Sequence, residues 1–156
     1  MTSPKEWDQK VDMTWREYFN PPYMLPHIGI VKLARRMEQE LGKEKAHHIV
    51  KEVAAELAYE YAKEKTKGIK VESMEDFPKA MDLIQGEIMK IGSLDGACLW
   101  AETWKDLDAM DIGYLWCCQS DAAIMRGISP NLKFTQGETL MTGGSFCDNN
   151  ISWEDD

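Results

Sequence analysis

Two runs of helical periodicity, parted by Gly42 alone, constrain this chain more than any other feature of its sequence. Ile30, Ala34, Met37 and Leu41 recur at three- and four-residue intervals, the spacing that stacks side chains on one face of a helix. Gly42 stands where a left-handed residue closes a helix, a conformation that costs a residue without Cβ little. From Lys43 to Lys65, the residues Val50, Val53, Ala54, Leu57 and Tyr61 form one stripe, while Lys51, Glu52, Glu56, Glu60 and Lys63 face away. The pattern predicts helices over His27–Leu41 and 43–65, each burying one face against a core. His47 and His48, at the start of the second helix, read as surface or capping residues, because no Cys, Asp or Glu motif accompanies them at ligand spacing.

Beyond the loop at Thr66–Glu72, Ser73 with Asp76 resembles a capping box that opens a shorter helix through Phe77, Met81 and Ile84. Gly86 is expected to stop it, with a short strand over Glu87–Ile91. Helices are then expected over Ala97–Leu107 and from Asp111, as N-cap, to Met125. After Pro130, the segments Leu132–Thr135, Glu138–Thr142 and Phe146–Trp153 are separated by Gly137 and Gly143-Gly144, which suits an antiparallel meander. The expected fold class is α+β, a helical N-terminal half packed on a short C-terminal antiparallel sheet. Residues 1–156 are expected to form one domain, with 1–20 as an aromatic-bearing arm ended by Pro21-Pro22 and 154–156 as a disordered tail.

Charge narrows the partners. Eighteen Lys and Arg against 27 Asp and Glu leave a net charge of −9, which repels phosphate backbones and anionic membrane surfaces. A small molecule is the expected partner, with no nucleic acid and no membrane, and a homo-oligomer remains open. The polar start Met1–Lys10 lacks the pattern of a secretory signal, and no apolar run reaches the roughly 20 residues of a membrane span. A cytoplasmic location is expected. Cys98, Cys117, Cys118 and Cys147 include an adjacent pair, a poor start for a disulfide framework, so all four are expected as free thiols. No CxxC pair is present, and neither a metal nor another cofactor is expected.

Three places carry candidate chemistry. On an ideal helix Cys98, Glu102 and Lys105 fall within about 60° of one another, with Trp100, Trp104 and Leu107 on the opposite side. Either the tryptophans face the core and the polar set faces water, or Cys98 at the helix start is a thiol activated by the helix dipole. Cys117 and Cys118 precede Asp121 by four and three residues, so either thiol can share a face with that carboxylate, and Arg126 follows near the helix end. Cys147 opens the last segment after the Gly143-Gly144 turn.

The segments Cys98-Leu-Trp-Ala-Glu102, Cys118-Gln-Ser-Asp121, Gly127-Ile-Ser-Pro130-Asn-Leu-Lys and Thr139-Leu-Met-Thr-Gly143-Gly-Ser-Phe-Cys147-Asp148 resemble the L-2-amino-thiazoline-4-carboxylic acid hydrolase family. The order of these motifs is also similar to that of four-vinyl-reductase-like ligand-binding domains. The first resemblance implies a hydrolase that opens a small cyclic C=N compound, such as 2-amino-thiazoline-4-carboxylate, to an N-carbamoyl-cysteine. It implies Cys98, Cys118, Asp121 and Cys147 as catalytic candidates, and Glu102, Lys105 and Arg126 as substrate-binding ones. Asp121 would pair with the cationic amidine and Arg126 or Lys105 with the carboxylate, while a cysteine would act as nucleophile or as proton donor to the leaving sulfur. A noncatalytic binding or sensor domain and an oligomeric structural partner are the alternatives.

Overall fold

A computed structural model describes residues 24–92 and 98–155. The helices are α1 (Met24–Leu41), α2 (Lys43–Lys65), α3 (Phe77–Gly92), α4 (Leu99–Asp106), α5 (Met110–Trp116) and α6 (Asp121–Ile128), and two strands, β1 (Leu132–Gln136) and β2 (Asn149–Trp153), follow. The architecture is α+β, with a two-stranded antiparallel sheet near the C-terminal end. Gly42, at φ 83°, separates α1 from α2 as its position predicts. The arm at 1–20 lies outside the described residues.

The buried seam of α2 is rotated from the expected stripe. Ala46, Val50, Ala54 and Ala62 are buried, whereas Val53, Leu57 and Tyr61 remain exposed. The reason is close approach by α6: a Cβ built on Gly127 would stand 2.6 Å from the backbone oxygen of Tyr59 and 2.8 Å from the Cβ of Ala62. Only small side chains permit two helix backbones to come so near, so the alanine face of α2 takes α6 and the bulkier stripe is left outside. The core forms where α1, α2, α4 and α5 meet, around Ala34, Val50, Ala101, Trp104, Ala109, Ile112 and Met141.

Other expectations are corrected. The helix beginning at Phe77 runs through Gly86 to Gly92 and takes up Glu87–Ile91, the expected strand, as helix. One interior glycine costs a helix about 1 kcal/mol, which a continuing helical segment can outweigh. The single helix expected from Asp111 to Met125 is two, broken at Cys117, with a 3-10 turn at Cys118–Ser120 between them. Asp111 is not the cap, since Ala109 holds that position. Instead its carboxylate receives both arms of the Arg35 guanidinium at 2.7 and 2.9 Å. Those hydrogen bonds hold the Asp111 carboxyl down at about 2. Arg35 also donates to Glu38, and Glu38 lies 2.6 Å from His47 Nε2, so one ion-pair knot ties α1, α2 and α5 together.

Glu138–Thr142 is not a strand, because Thr139 caps a 3-10 turn at Leu140–Thr142 by accepting a hydrogen bond from the Thr142 N–H at 3.0 Å. Gly143, at φ 89°, closes that turn rather than a hairpin. The long β1–β2 connection is pinned internally, with Asp148 accepting from the Gly137 N–H and Glu138 from the Ser145 N–H. Glu154 donates its backbone N–H to the Asn131 oxygen, and Asp155 accepts from the Trp153 indole N–H, both at 2.9 Å. No helix among the described residues is long and apolar enough to cross a membrane.

Candidate functional site

The break at Cys117 builds a site. Trp104, fully buried on α4, donates its indole N–H to Cys117 Sγ at 3.2 Å. The 3-10 turn then carries Cys118 to Asp121, the first residue of α6. Register supplies the next wall: Gln136 and Asn149 face each other on the last rung of the sheet, and their side chains are hydrogen-bonded at 2.7 Å. Cys147 stands two positions before β2 and accepts from the Leu140 N–H at 3.4 Å.

These elements line a half-open cavity of about 370 Å³. Cys98, Cys117, Cys118, Asp121 and Cys147 all line it, together with Trp100, Trp116 and Ile124. All four cysteines are free thiols. Glu102, Lys105 and Arg126 are exposed, and none of them lines the cavity. Cys98 parts from Glu102 and Lys105 because it is the cap of α4, with extended backbone at φ −117° and ψ 107°. The helical phase that groups the three does not extend to a residue outside the helix.

His27, near the start of α1, lines the same cavity and was not among the sequence candidates. Its ring sits 5.6 Å from that of Trp100 and 5.4 Å, edge-on, from that of Trp104. Gln136 and Asn149 were missed as well. Their shared rung would have been legible from the β1–β2 register, whereas nothing local marks His27.

Protein surrounds Asp121 on most sides, and this burial pushes its carboxyl up to about 7. A helix N-terminus favours an anion by up to about 1 kcal/mol, too little to offset the loss of water. Burial likewise pushes the Cys117 and Cys118 thiols up to about 12, with the Asp121 charge adding to the effect. Both cysteines are therefore neutral thiols at neutral pH, while Asp121 is poised to exchange a proton.

A family model described as L-2-amino-thiazoline-4-carboxylic acid hydrolase matches residues 24–151, most of the chain. The chain belongs to the L-2-amino-thiazoline-4-carboxylic acid hydrolase family. No curated protein and no solved structure matches it. The family match spans every element that lines the cavity, from α1 to the start of β2.

Glu38, His47 and Asp111 bring one ligating atom each to within 4.8 Å of one another, outside the cavity. Arg35 already bonds both carboxylates, so this hydrolase-family chain uses the group as an internal ion-pair knot.

The raised carboxyl makes stability depend on pH. Unfolded, Asp121 would titrate near its ordinary 3.8; folded, it holds its proton to about 7. Between those values the native state binds more protons than the unfolded one, so this group's contribution to stability falls as pH rises. Asp121→Asn removes the penalty. The variant is expected to gain as much as about 4 kcal/mol over the parent at pH 8, at roughly 1.4 kcal/mol per unit, and to lose the advantage near pH 4. Thermal unfolding at both pH values checks this, and an equal shift at both would show that Asp121 ionisation is not coupled to folding.

Proposed function

We propose that the chain is a hydrolase of small cyclic C=N compounds, opening 2-amino-thiazoline-4-carboxylate to N-carbamoyl-cysteine in this cavity. The observation that carries the reading is the juxtaposition of one largely buried carboxyl, Asp121, with four cysteines around a half-open cavity of ligand size. The cationic amidine of the ring pairs with ionised Asp121. Water adds to the carbon between sulfur and nitrogen, and Asp121 accepts the proton that the water releases. The carbon–sulfur bond then breaks, its electron pair goes to sulfur, the proton on Asp121 passes to that sulfur, and the hydroxyl proton of the adduct leaves to solvent as the carbonyl forms, giving a neutral thiol and a neutral urea from the cationic ring. One water is consumed and Asp121 returns to its starting state. A carboxyl near 7 serves both transfers at neutral pH, where an ordinary aspartate is a weak base.

In this reading the cysteines are wall rather than nucleophile. With a thiol at about 12, roughly one Cys118 in 10⁵ is thiolate at neutral pH, too few for efficient attack. Thiols suit a sulfur-containing ring as soft, polarizable neighbours. The test is steady-state hydrolysis of 2-amino-thiazoline-4-carboxylate and related cyclic amidines, with the carbamoyl product followed by mass spectrometry. Cys118→Ser is expected to lower the rate less than about tenfold, whereas a nucleophile's loss would cost about a thousandfold or more. A protein stabilised by a ring compound that it does not convert would instead be a binding domain.

A further inference from the structure

A substrate with a cationic amidine also carries a carboxylate, and neither sequence candidate for that group reaches the cavity. Lys105 and Arg126 are exposed outside it. Among the described lining residues His27 is the one with a basic side chain, and Asp121 the one with a carboxyl. We propose that His27 binds the ligand's carboxylate and makes the cavity selective for zwitterionic rings over the same ring without an acid group. This rests on the hydrolase reading of the same cavity and names the residue that would set its specificity.

Three observations support the assignment. His27 lies on α1, an element distinct from the one bearing Asp121, so a zwitterion can meet its two partners from different walls. Its imidazole packs against two indoles, tilted by 44° to Trp100 and edge-on at 80° to Trp104. Trp104 is itself fully buried and bonded to Cys117, so His27 rests on a fixed support. An imidazole donates an N–H to a carboxylate in either protonation state.

The experiment compares 2-amino-thiazoline-4-carboxylate with 2-amino-thiazoline, the same ring without the acid. Binding is read by stopped-flow tryptophan fluorescence before turnover, since Trp100 and Trp116 line the cavity. Wild type is expected to bind the acid at least about tenfold more tightly, the scale of one charge-assisted hydrogen bond. His27→Phe keeps an aromatic ring against the indoles and removes the donor. It is expected to bind both rings alike, while His27→Gln, which retains an N–H, recovers part of the preference.

Should His27→Phe not fold, His27→Leu, which also lacks a donor, takes its place, and a preference at wild-type strength in it would overturn the assignment. The same holds if His27→Phe folds and keeps the wild-type preference. Equal binding of both rings by wild type would remove the carboxylate role and leave the hydrolase reading standing. Binding of neither ring would overturn both.

Discussion

Asp121→Asn is expected to lower turnover of a cyclic amidine substrate at least about a hundredfold, the scale of a lost general base and of the charge that faces a cationic transition state. The substitution keeps the shape of the side chain, so the loss reports the ionisable oxygen. Wild-type kcat/KM is expected to rise through a group near 7, the value to which burial pushes this carboxyl, and then to level. The variant's residual rate is expected to lack that limb. Stability should move the other way, because asparagine escapes the cost of an ionised group at a largely buried position. A variant that melts higher at pH 8 and yet turns over a hundredth as fast cannot owe its defect to misfolding. If the variant keeps most of the wild-type rate, Asp121 is a structural carboxyl and the chemistry belongs elsewhere in the cavity.

How far the site was legible in sequence depends on what positions each residue. The helical spacing of α1 and α2 and the break at Gly42 are local, and local periodicity was enough to read them. The face that α2 buries is not local. It is chosen by Gly127, more than sixty positions beyond the middle of that helix, through a close approach that favours alanine over Val53, Leu57 and Tyr61. Cys98 was grouped with Glu102 and Lys105 by a helical phase that fails one residue before the helix begins. Cys118 and Asp121 were paired by spacing, and they do share the cavity, although a 3-10 turn rather than one continuous helix brings them there. His27 could not be found by any local pattern, because what marks it is contact with Trp100 and Trp104 on another helix.

Trp104→Ala is expected to destabilise the fold by about 3–5 kcal/mol, the range for truncating a buried aromatic. Trp104 is fully buried at the centre of the core cluster. Gly113 of α5 lies against the indole so closely that a Cβ there would collide with the ring's Cγ. With a helix backbone as one wall, the space left by the indole can close only if α5 moves as a body. Asp111, in the first turn of that helix, is held to α1 by Arg35, which opposes such a movement, so the cavity term should persist and the cost should fall in the upper part of the range. For a chain of this length that lowers the melting temperature by on the order of 10 °C. The truncation also removes the indole N–H from Cys117 and one of the two rings beside His27, so ligand affinity should weaken even at temperatures where the variant is folded. Trp104→Phe separates the two effects, since it restores much of the packing without the N–H donor. It is expected to recover most of the lost stability, as measured by denaturant unfolding. A Trp104→Ala protein that unfolds within about 1 kcal/mol of wild type would mean that α5 collapses onto the vacated space, and that the indole is not what holds this wall of the cavity in place.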